Sequence, residues 1–194
     1  MKAIGFACLA ADGPRLCASI TLRTAARMAV LVAALLLGGC YESATQVIDK
    51  GERAPLAGVA HCSSSFGGGS GKKIEEVSTG FWLWADYQYR NPDGESVRLK
   101  RLPNGLHLAQ IASTKSKAFA YAFIDFPDQA SYRLQVVDLT RQRNAVTALA
   151  KTHGVTAQAK GDGLLLLGQP RELLAFFSAH QSGQMTVILT CKRQ

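Results

Sequence analysis

The chain has 194 residues, of which 47% are hydrophobic, and a formal net charge of +8. Its basic residues are spread along the chain, a pattern typical of a solvated surface of mixed charge, although the excess could also favour anionic lipid headgroups. The four histidines lack the paired spacing of a zinc site, so the sequence predicts neither a metal centre nor a cofactor.

An apolar run, MAVLVAALLL, occupies residues 28–37. A membrane-spanning helix needs roughly 20 apolar residues, whereas a run of about ten is typical of a signal peptide or of a buried core helix. Arg23 and Arg27 precede the run with no acidic residue between, as in the basic region of a signal peptide. The sequence therefore predicts a signal peptide over residues 1–39, with a core helix as the alternative.

The run ends in Leu37-Gly38-Gly39-Cys40, which resembles the lipobox of bacterial lipoproteins. The resemblance implies attachment of acyl chains such as palmitate to Cys40 and cleavage between Gly39 and Cys40, so that Cys40 becomes the new N-terminus. Several chains anchor a protein firmly, because each buried methylene contributes ~0.8 kcal/mol. Since Tyr41 rather than an aspartate follows the cysteine, the resemblance also implies attachment to an outer membrane, facing the periplasm.

Removing residues 1–39 would leave 155 residues, a normal size for one domain. The removed part holds four basic residues and one acidic residue, so the net charge would fall from +8 to +5. The polar stretch after the cysteine predicts a tether over residues 40–57. Residues 58–194 are then expected to form a single folded, β-rich domain.

Alternation with a period of two dominates residues 58–140 and predicts antiparallel strands. In FWLWADYQYR, residues 81–90, Tyr87 and Tyr89 share one face of the predicted strand. The turn signals NPDG and PNG separate successive strands. These patterns predict an antiparallel meander, or a small barrel-like sheet, of about six strands.

Two short amphipathic helices and a final strand are predicted beyond residue 139. The first helix lies within residues 141–154, and a strand or hairpin is expected around Gly161. The second helix opens at Pro170, since proline is favoured at the first helical position. Its apolar side comprises Leu173, Leu174, Phe176 and Phe177. The expected fold class is therefore α+β and β-dominated, with residues 185–191 as the last strand.

Cys62 and Cys191 remain once the signal peptide is removed and Cys40 carries the lipid. An exported chain folds where disulfides are permitted, and alternation turns Cys191 toward the interior of the final strand. The sequence predicts a Cys62–Cys191 disulfide rather than a metal site, because no further ligands are suitably spaced. Such a link closes a loop of about 130 residues, for which chain entropy gives roughly 4–5 kcal/mol.

No motif gives a convincing catalytic site. The glycine-rich stretch at 66–73 departs from a phosphate-binding loop, since Phe66 stands where the first glycine belongs and Lys73 where a hydroxyl is required. Four aspartates could supply a carboxylate pair, but their spacing does not bring any two together: Asp86, Asp125, Asp128 and Asp138. The sequence predicts a protein without catalytic residues.

Trp82 and Trp84 form the candidate binding surface. Their rings could stack on a sugar or a peptide, or pack beneath the C-terminal helices, and the apolar side of the second helix favours the latter. We expect a lipid-anchored envelope lipoprotein that acts as a binding or assembly module for another envelope protein or a glycan, and not for nucleic acid. A lysozyme-inhibitor-like lipoprotein, which a small β domain with a terminal disulfide resembles, is the alternative, and an envelope hydrolase is the second alternative.

Overall fold

The computed structural model describes residues 41–65, 69–80, 84–91 and 94–194, with the backbone alone for residues 69–72. The predicted signal peptide, its cleavage site, Cys40 and Trp82 lie outside the described residues. In chain order the elements are β1 (Tyr41–Ser43), β2 (Gly58–Ser64), β3 (Gly69–Thr79), β4 (Asp86–Arg90), β5 (Ser96–Arg101), β6 (His107–Ala112), β7 (Phe119–Asp128), β8 (Ser131–Val137), α1 (Leu139–Thr152), β9 (Thr156–Lys160), β10 (Gly163–Leu167), α2 (Pro170–Ser178), a 3₁₀ turn (Ser182–Gln184) and β11 (Met185–Arg193).

Eight strands form a closed antiparallel barrel. β2 through β8 follow one another as a meander, and β11 lies between β8 and β2 and closes the ring. The predicted β-dominated α+β fold, with a barrel-like sheet, two short helices and a final strand, is confirmed. The meander supplies seven of the eight strands.

A three-stranded extension continues the sheet from the first part of β7. β1 pairs with β7 antiparallel and with β10 parallel, and β9 pairs with β10 as a hairpin. The hairpin turns at Gly161, whose φ of 57° lies in the left-handed region that favours glycine. The hairpin expected around Gly161 is therefore confirmed, and β9 ends the order of strands.

The two helices begin and end at the signals that the sequence carries. Asp138 caps α1, its carboxylate accepting from the Thr140 N–H at 3.1 Å. Pro170 occupies the first turn of α2, and the Glu172 carboxylate accepts from the Gln169 N–H at 2.8 Å. Both caps satisfy backbone donors that a helix leaves unpaired.

The larger hydrophobic cluster lies between the helices and the face of β1, β7 and β10. Phe177 of α2 stacks on Tyr121 of β7, with ring centroids 4.9 Å apart, and Tyr41 meets Phe176 edge-on at 5.4 Å. All four side chains are at most 1% exposed. The apolar side of α2 therefore covers the β1–β7 face. The interpretation that places Trp84 beneath it is wrong, since that indole is 73% exposed.

The second cluster fills the barrel. It contains Cys62 and Cys191, which are direct neighbours in the β2–β11 ladder and whose sulfur atoms lie at disulfide-bonding distance. The predicted disulfide is thus confirmed, and it joins residues separated by 129 positions in sequence. The other buried members are Ala54, Leu56, Ala60, Tyr89, Leu99, Ala109, Ile124 and Tyr132.

Residues 41–57, expected to be part of a free tether, belong to the folded domain, so that prediction is wrong. Tyr41 and Ser43 are buried in β1, and Val47 and Ile48 are buried beyond it. The backbone N–H groups of both Val47 and Ile48 donate to Oε1 of Gln110 at 2.8 Å. The buried amide oxygen of a barrel strand therefore fixes a segment whose own composition is polar.

The same segment then passes through the barrel wall. β4 and β5 pair at only two positions, next to the turn that joins them. Further along, the Tyr87 N–H donates to the Gly51 carbonyl at 3.1 Å, and the Glu52 N–H donates to the Leu99 carbonyl at 2.8 Å. The segment therefore occupies the gap between the strands, and Ala54 lies beyond it among the interior residues.

Replacing Gly51 by alanine should lower the free energy of unfolding by about 3 kcal/mol, because overpacking at a site fixed by backbone bonds is relieved only by moving the strands. A Cβ at this position would lie 2.0 Å from the Tyr87 carbonyl oxygen. Urea unfolding measures the effect. Gly183→Ala, where a Cβ meets nothing within 4 Å, is the matched control. Equal stabilities for the two variants would contradict the threading of this segment.

Candidate functional site

Trp84, the described half of the candidate aromatic surface, precedes β4. Its ring is largely exposed, and the Lys50 ammonium lies 4.7 Å from the ring centroid. A cation at this distance interacts favourably with an indole, so one ring face already has a partner within the chain. The indole is accessible, and neither of the two concave surfaces described below includes it among its lining residues.

Each of the four candidate aspartates forms hydrogen bonds or an ion pair that stabilises the local fold, and none of these contacts joins two carboxylates. Asp86 accepts from Arg98, at 2.8 Å to Nη2, and from the Gly51 N–H, also at 2.8 Å. The hydrogen bonds from Arg98 are the main reason that the pKa of Asp86 is lowered to about 2. The remaining three are bound locally: Asp125 to Arg133, Asp128 to Ser131 in the β7–β8 turn, and Asp138 to the start of α1.

A concave groove of about 740 Å³ lies between α1 and the β9–β10 hairpin. Sites for small ligands and peptides commonly fall between roughly 300 and 1,000 Å³. One wall is a stripe of α1, and the floor is the adjoining sheet surface. The lining residues are Arg143, Asn144, Thr147, Ala148 and Lys151 of α1, with Val155, Thr156, Ala157, Ala159 and Leu164.

Local sequence explains the shape of this groove. Val146 and Ala150 turn the apolar side of α1 into the core, which leaves the polar stripe beside the sheet. In the hairpin, Ala157 and Ala159 stand opposite Leu166 and Leu164, so the alanines share the face on which α1 lies. Alanine side chains leave open the space that larger residues would fill.

The charged side chains that line the groove are all cationic. Its lining contains Arg143 and Lys151 and no carboxylate. Arg143 is held in place because its guanidinium donates to the Asp162 carbonyl at 2.9 Å and more weakly to the Gly163 carbonyl at 3.5 Å. Within the described part of the chain neither cation takes part in an ion pair. The groove is thus suited to an anionic partner.

The outer border of the groove is a free strand edge. Among the described residues β9 has a single neighbouring strand, β10. A strand with one unpaired side presents backbone N–H and C=O groups that can accept a further strand. Lys160, at the end of β9, pairs with Glu42 of β1 across β10, so its ammonium is directed away from this edge.

A smaller depression of about 440 Å³ lies at one end of the barrel. Its charged lining is Arg53, which pairs with Glu76 at 3.4 Å, and Arg193. The Nε of Arg193 is buried without a hydrogen-bond partner in the described structure. Because the carboxylate of Glu76 also lines this depression and pairs with Arg53, the groove beside β9 is the better candidate site for an anionic partner.

A buried histidine–tyrosine pair lies in the larger cluster and was missed by the sequence analysis. His180 Nδ1 is 3.0 Å from the Phe176 carbonyl, which can only accept, so Nδ1 carries the proton and Nε2 accepts from the Tyr41 hydroxyl at 2.9 Å. Burial is the main reason that the pKa of His180 is lowered. The pair holds the C-terminal end of α2 against β1.

Stability should fall as the pH drops below about 6.5, the ordinary pKa of histidine. Since the folded state keeps His180 neutral, the unfolded chain binds a proton first, and the slope contributed by one such group approaches about 1.4 kcal/mol per pH unit. Urea unfolding between pH 7.5 and pH 5 measures it. His180→Gln should reduce the slope, whereas His61→Gln, at an exposed position, should preserve it. Equal slopes in all three proteins would refute the assignment.

The groove carries no sequence motif. In sequence, the polar stripe on α1 has the composition of an ordinary solvent-exposed helix side. β9 is a short polar strand, and the sequence does not indicate which strands lie beside it. Among the described residues no three histidine, cysteine or acidic side chains are grouped to hold a metal ion.

Comparison with known proteins finds no matching family model, no similar curated protein and no similar solved structure. Within residues 41–194 as described, no helix has the length and apolar character needed to cross a membrane.

Proposed function

We propose that this chain is a lipid-anchored cell-envelope protein whose domain binds a partner protein in the groove between α1 and β9. The observation that carries the binding role is the groove itself: a concave, cationic surface bordered by an unpaired strand edge. Free strand edges are recurrent sites of peptide recognition, because main-chain hydrogen bonds supply affinity and the adjoining surface supplies specificity.

Binding is favoured over hydrolysis by the chemistry of the lining. The groove residues include no histidine, cysteine or carboxylate, and the titratable side chains beside the hydroxyls of Thr147 and Thr156 are the cations Arg143 and Lys151, which suit the binding of an anion. The carboxylate with the most strongly lowered pKa, Asp86, is bound to Arg98 at a structural junction.

The anchor is supported by the lipobox, and the position of β1 determines how close to the bilayer the anchored domain would lie. The proposed lipidation site, Cys40, directly precedes Tyr41, whose side chain is 1% exposed. Lipid on Cys40 would then hold the domain at the bilayer without an intervening linker. By the lipoprotein resemblance, with tyrosine after the cysteine, the proposed location is an outer membrane, facing the periplasm.

Replacing Cys40 by serine should abolish incorporation of radiolabelled palmitate and release the domain from the membrane fraction. The thiol is the group that accepts the acyl chains, and a hydroxyl does not replace it in this reaction. Cys17→Ser, within the predicted signal peptide, is the matched control and should incorporate label as the parent does. Label retained in Cys40→Ser, or native protein of unmodified mass, would overturn the anchor.

The groove is tested by cross-linking in intact cells. A photoreactive residue at Thr147, on the groove wall, should capture one defined species, whereas the same residue at Ala145, exposed on α1 outside the groove, should not. Capture should be lost on Lys151→Glu and kept on Lys115→Glu, an equal change of charge in an exposed loop. Capture that is indifferent to position or to charge would contradict binding in this groove.

A further inference from the structure

We infer that the groove takes an extended, acidic segment of a partner protein, which adds to β9 as a further strand and carries two carboxylates four residues apart on one face. This deepens the proposed binding role and rests on it. Three features of the described residues carry the inference: the direction of the free backbone groups, the small side chains of β9, and the spacing of the two groove cations.

The backbone groups of Ala157 and Ala159 face the free edge. The β9–β10 hairpin has a two-residue turn, which makes its closing pair, Lys160 and Gly163, a hydrogen-bonded pair. Hydrogen-bonded and non-bonded pairs alternate along an antiparallel ladder, so the residues at 158 and 156 also bond to β10. The N–H and C=O groups at 157 and 159 therefore point away from β10 and are placed to accept another strand.

The same two alanines fix which side of an added strand enters the groove. Their side chains lie on the α1 side of the sheet, opposite Leu166 and Leu164. Alternate residues of a strand paired at this edge would share that side and pack beside Ala157 and Ala159, against Thr147 and its neighbours on α1. The space above the alanines gives room for such side chains.

The distance between the two groove cations determines the spacing of carboxylates expected on the partner strand. Arg143 and Lys151 are eight positions apart on α1, or roughly 12 Å at a rise of about 1.5 Å per residue. Four residues of an extended strand span roughly 13 Å, and residues four apart share a face. Two carboxylates at this spacing can therefore meet both cations at once, with a small or apolar residue midway facing Thr147.

Charge complementarity distinguishes this partner from a second copy of the chain pairing through the same edge. β9 has the sequence TAQAK and contributes no carboxylate, so two copies joined at β9 would bring their groove cations, Arg143 and Lys151, toward each other. Like charges brought into one interface are unfavourable. An acidic strand of another protein avoids this repulsion.

The experiment measures binding of two designed peptides to the purified full chain. Each peptide has nine residues of alternating threonine and valine, with glutamates at the third and seventh positions in one and at the third and sixth in the other. The first peptide should bind about threefold more tightly, because only it presents both carboxylates to the groove. On its addition, hydrogen exchange of the amides at Ala157 and Ala159 should slow.

Two substitutions separate the backbone from the charge contribution. Ala159→Pro removes a single edge N–H, which does not pair with β10, and should weaken binding at least about tenfold. Lys151→Glu should weaken it about fivefold and abolish the preference between the peptides, whereas Lys115→Glu should have no effect. If Ala159→Pro fails to fold, the amide exchange of the parent chain still decides the question.

Equal binding of the two peptides, or binding without slower exchange at 157 and 159, would overturn the inference. Slow exchange at these amides before any peptide is added, together with a dimer in solution, would also overturn it in favour of a second copy. Cross-linking at Thr147 in cells without peptide binding would leave the proposed function standing and reject the acidic strand. Peptide binding without cellular cross-linking would show that the groove can take an acidic strand, and it would reject the proposed function of binding a partner protein in cells.

Discussion

Replacing Phe177 by alanine is expected to lower the free energy of unfolding by about 4 kcal/mol. The side chain is fully buried at 0% exposure and lies beside three aromatic rings from the strands β1 and β7: Tyr121 at 4.9 Å, Tyr41 at 5.7 Å and Phe123 at 6.2 Å between centroids. Its removal would lose both the transfer of the ring from water and the packing of its neighbours around the space left behind.

Urea unfolding measures this change, and Trp84→Ala is the matched control. Trp84 is the larger aromatic residue but is 73% exposed, so its truncation should change stability by about 0.5 kcal/mol or less. A loss below about 1.5 kcal/mol for Phe177→Ala would mean that α2 does not depend on the aromatic cluster for its position. Comparable losses of unfolding free energy for Phe177→Ala and Trp84→Ala would lead to the same conclusion about α2.

Replacing both Cys62 and Cys191 by alanine is expected to cost about 4 kcal/mol. The disulfide links residues 129 positions apart, so its removal releases nearly the whole domain from a constraint on the unfolded chain. It also joins β2 to β11, the pair at which the first and last strands of the barrel meet. The double variant should therefore unfold at much lower urea concentration while it keeps the same strand content.

The parent chain treated with a reductant is the control, since it should unfold together with the double variant. A reduced parent that is as stable as the oxidised protein would show that the link contributes nothing. A double variant far less stable than the reduced parent would instead point to lost packing around Tyr132, whose hydroxyl lies 3.8 Å from the Cys62 sulfur.

The barrel strands and both helices could be predicted because local pattern and burial agree there. Alternation marks strands that bury one face, and Pro170 and Gly154 bound helical stretches for reasons that act within a few residues. The inward direction of Cys191 follows from the same alternation. The strands and helices required no knowledge of a distant residue, whereas the disulfide prediction also used the count of cysteines that remain after the predicted signal peptide.

The segment after Tyr41 could not be predicted because its order comes from distant partners. Its polar composition is typical of a linker, yet Gln110 accepts its backbone donors and the gap between β4 and β5 receives Gly51. The groove could not be predicted either, because the position of β9 at the edge of the sheet depends on the order of all the strands and not on the sequence of β9. Whether α2 covers Trp84 depends on tertiary packing, which the local pattern does not determine.

The position of β11 sets an order of events during folding. β2 through β8 can form a meander by themselves, but such a sheet has two open borders, at β2 and at β8. Among the described strands β11 pairs with both borders, and its addition brings Cys191 beside Cys62. A chain folded only as far as β8 would thus expose both borders, which makes it a target for chaperones and a source of aggregates until the final strand is added.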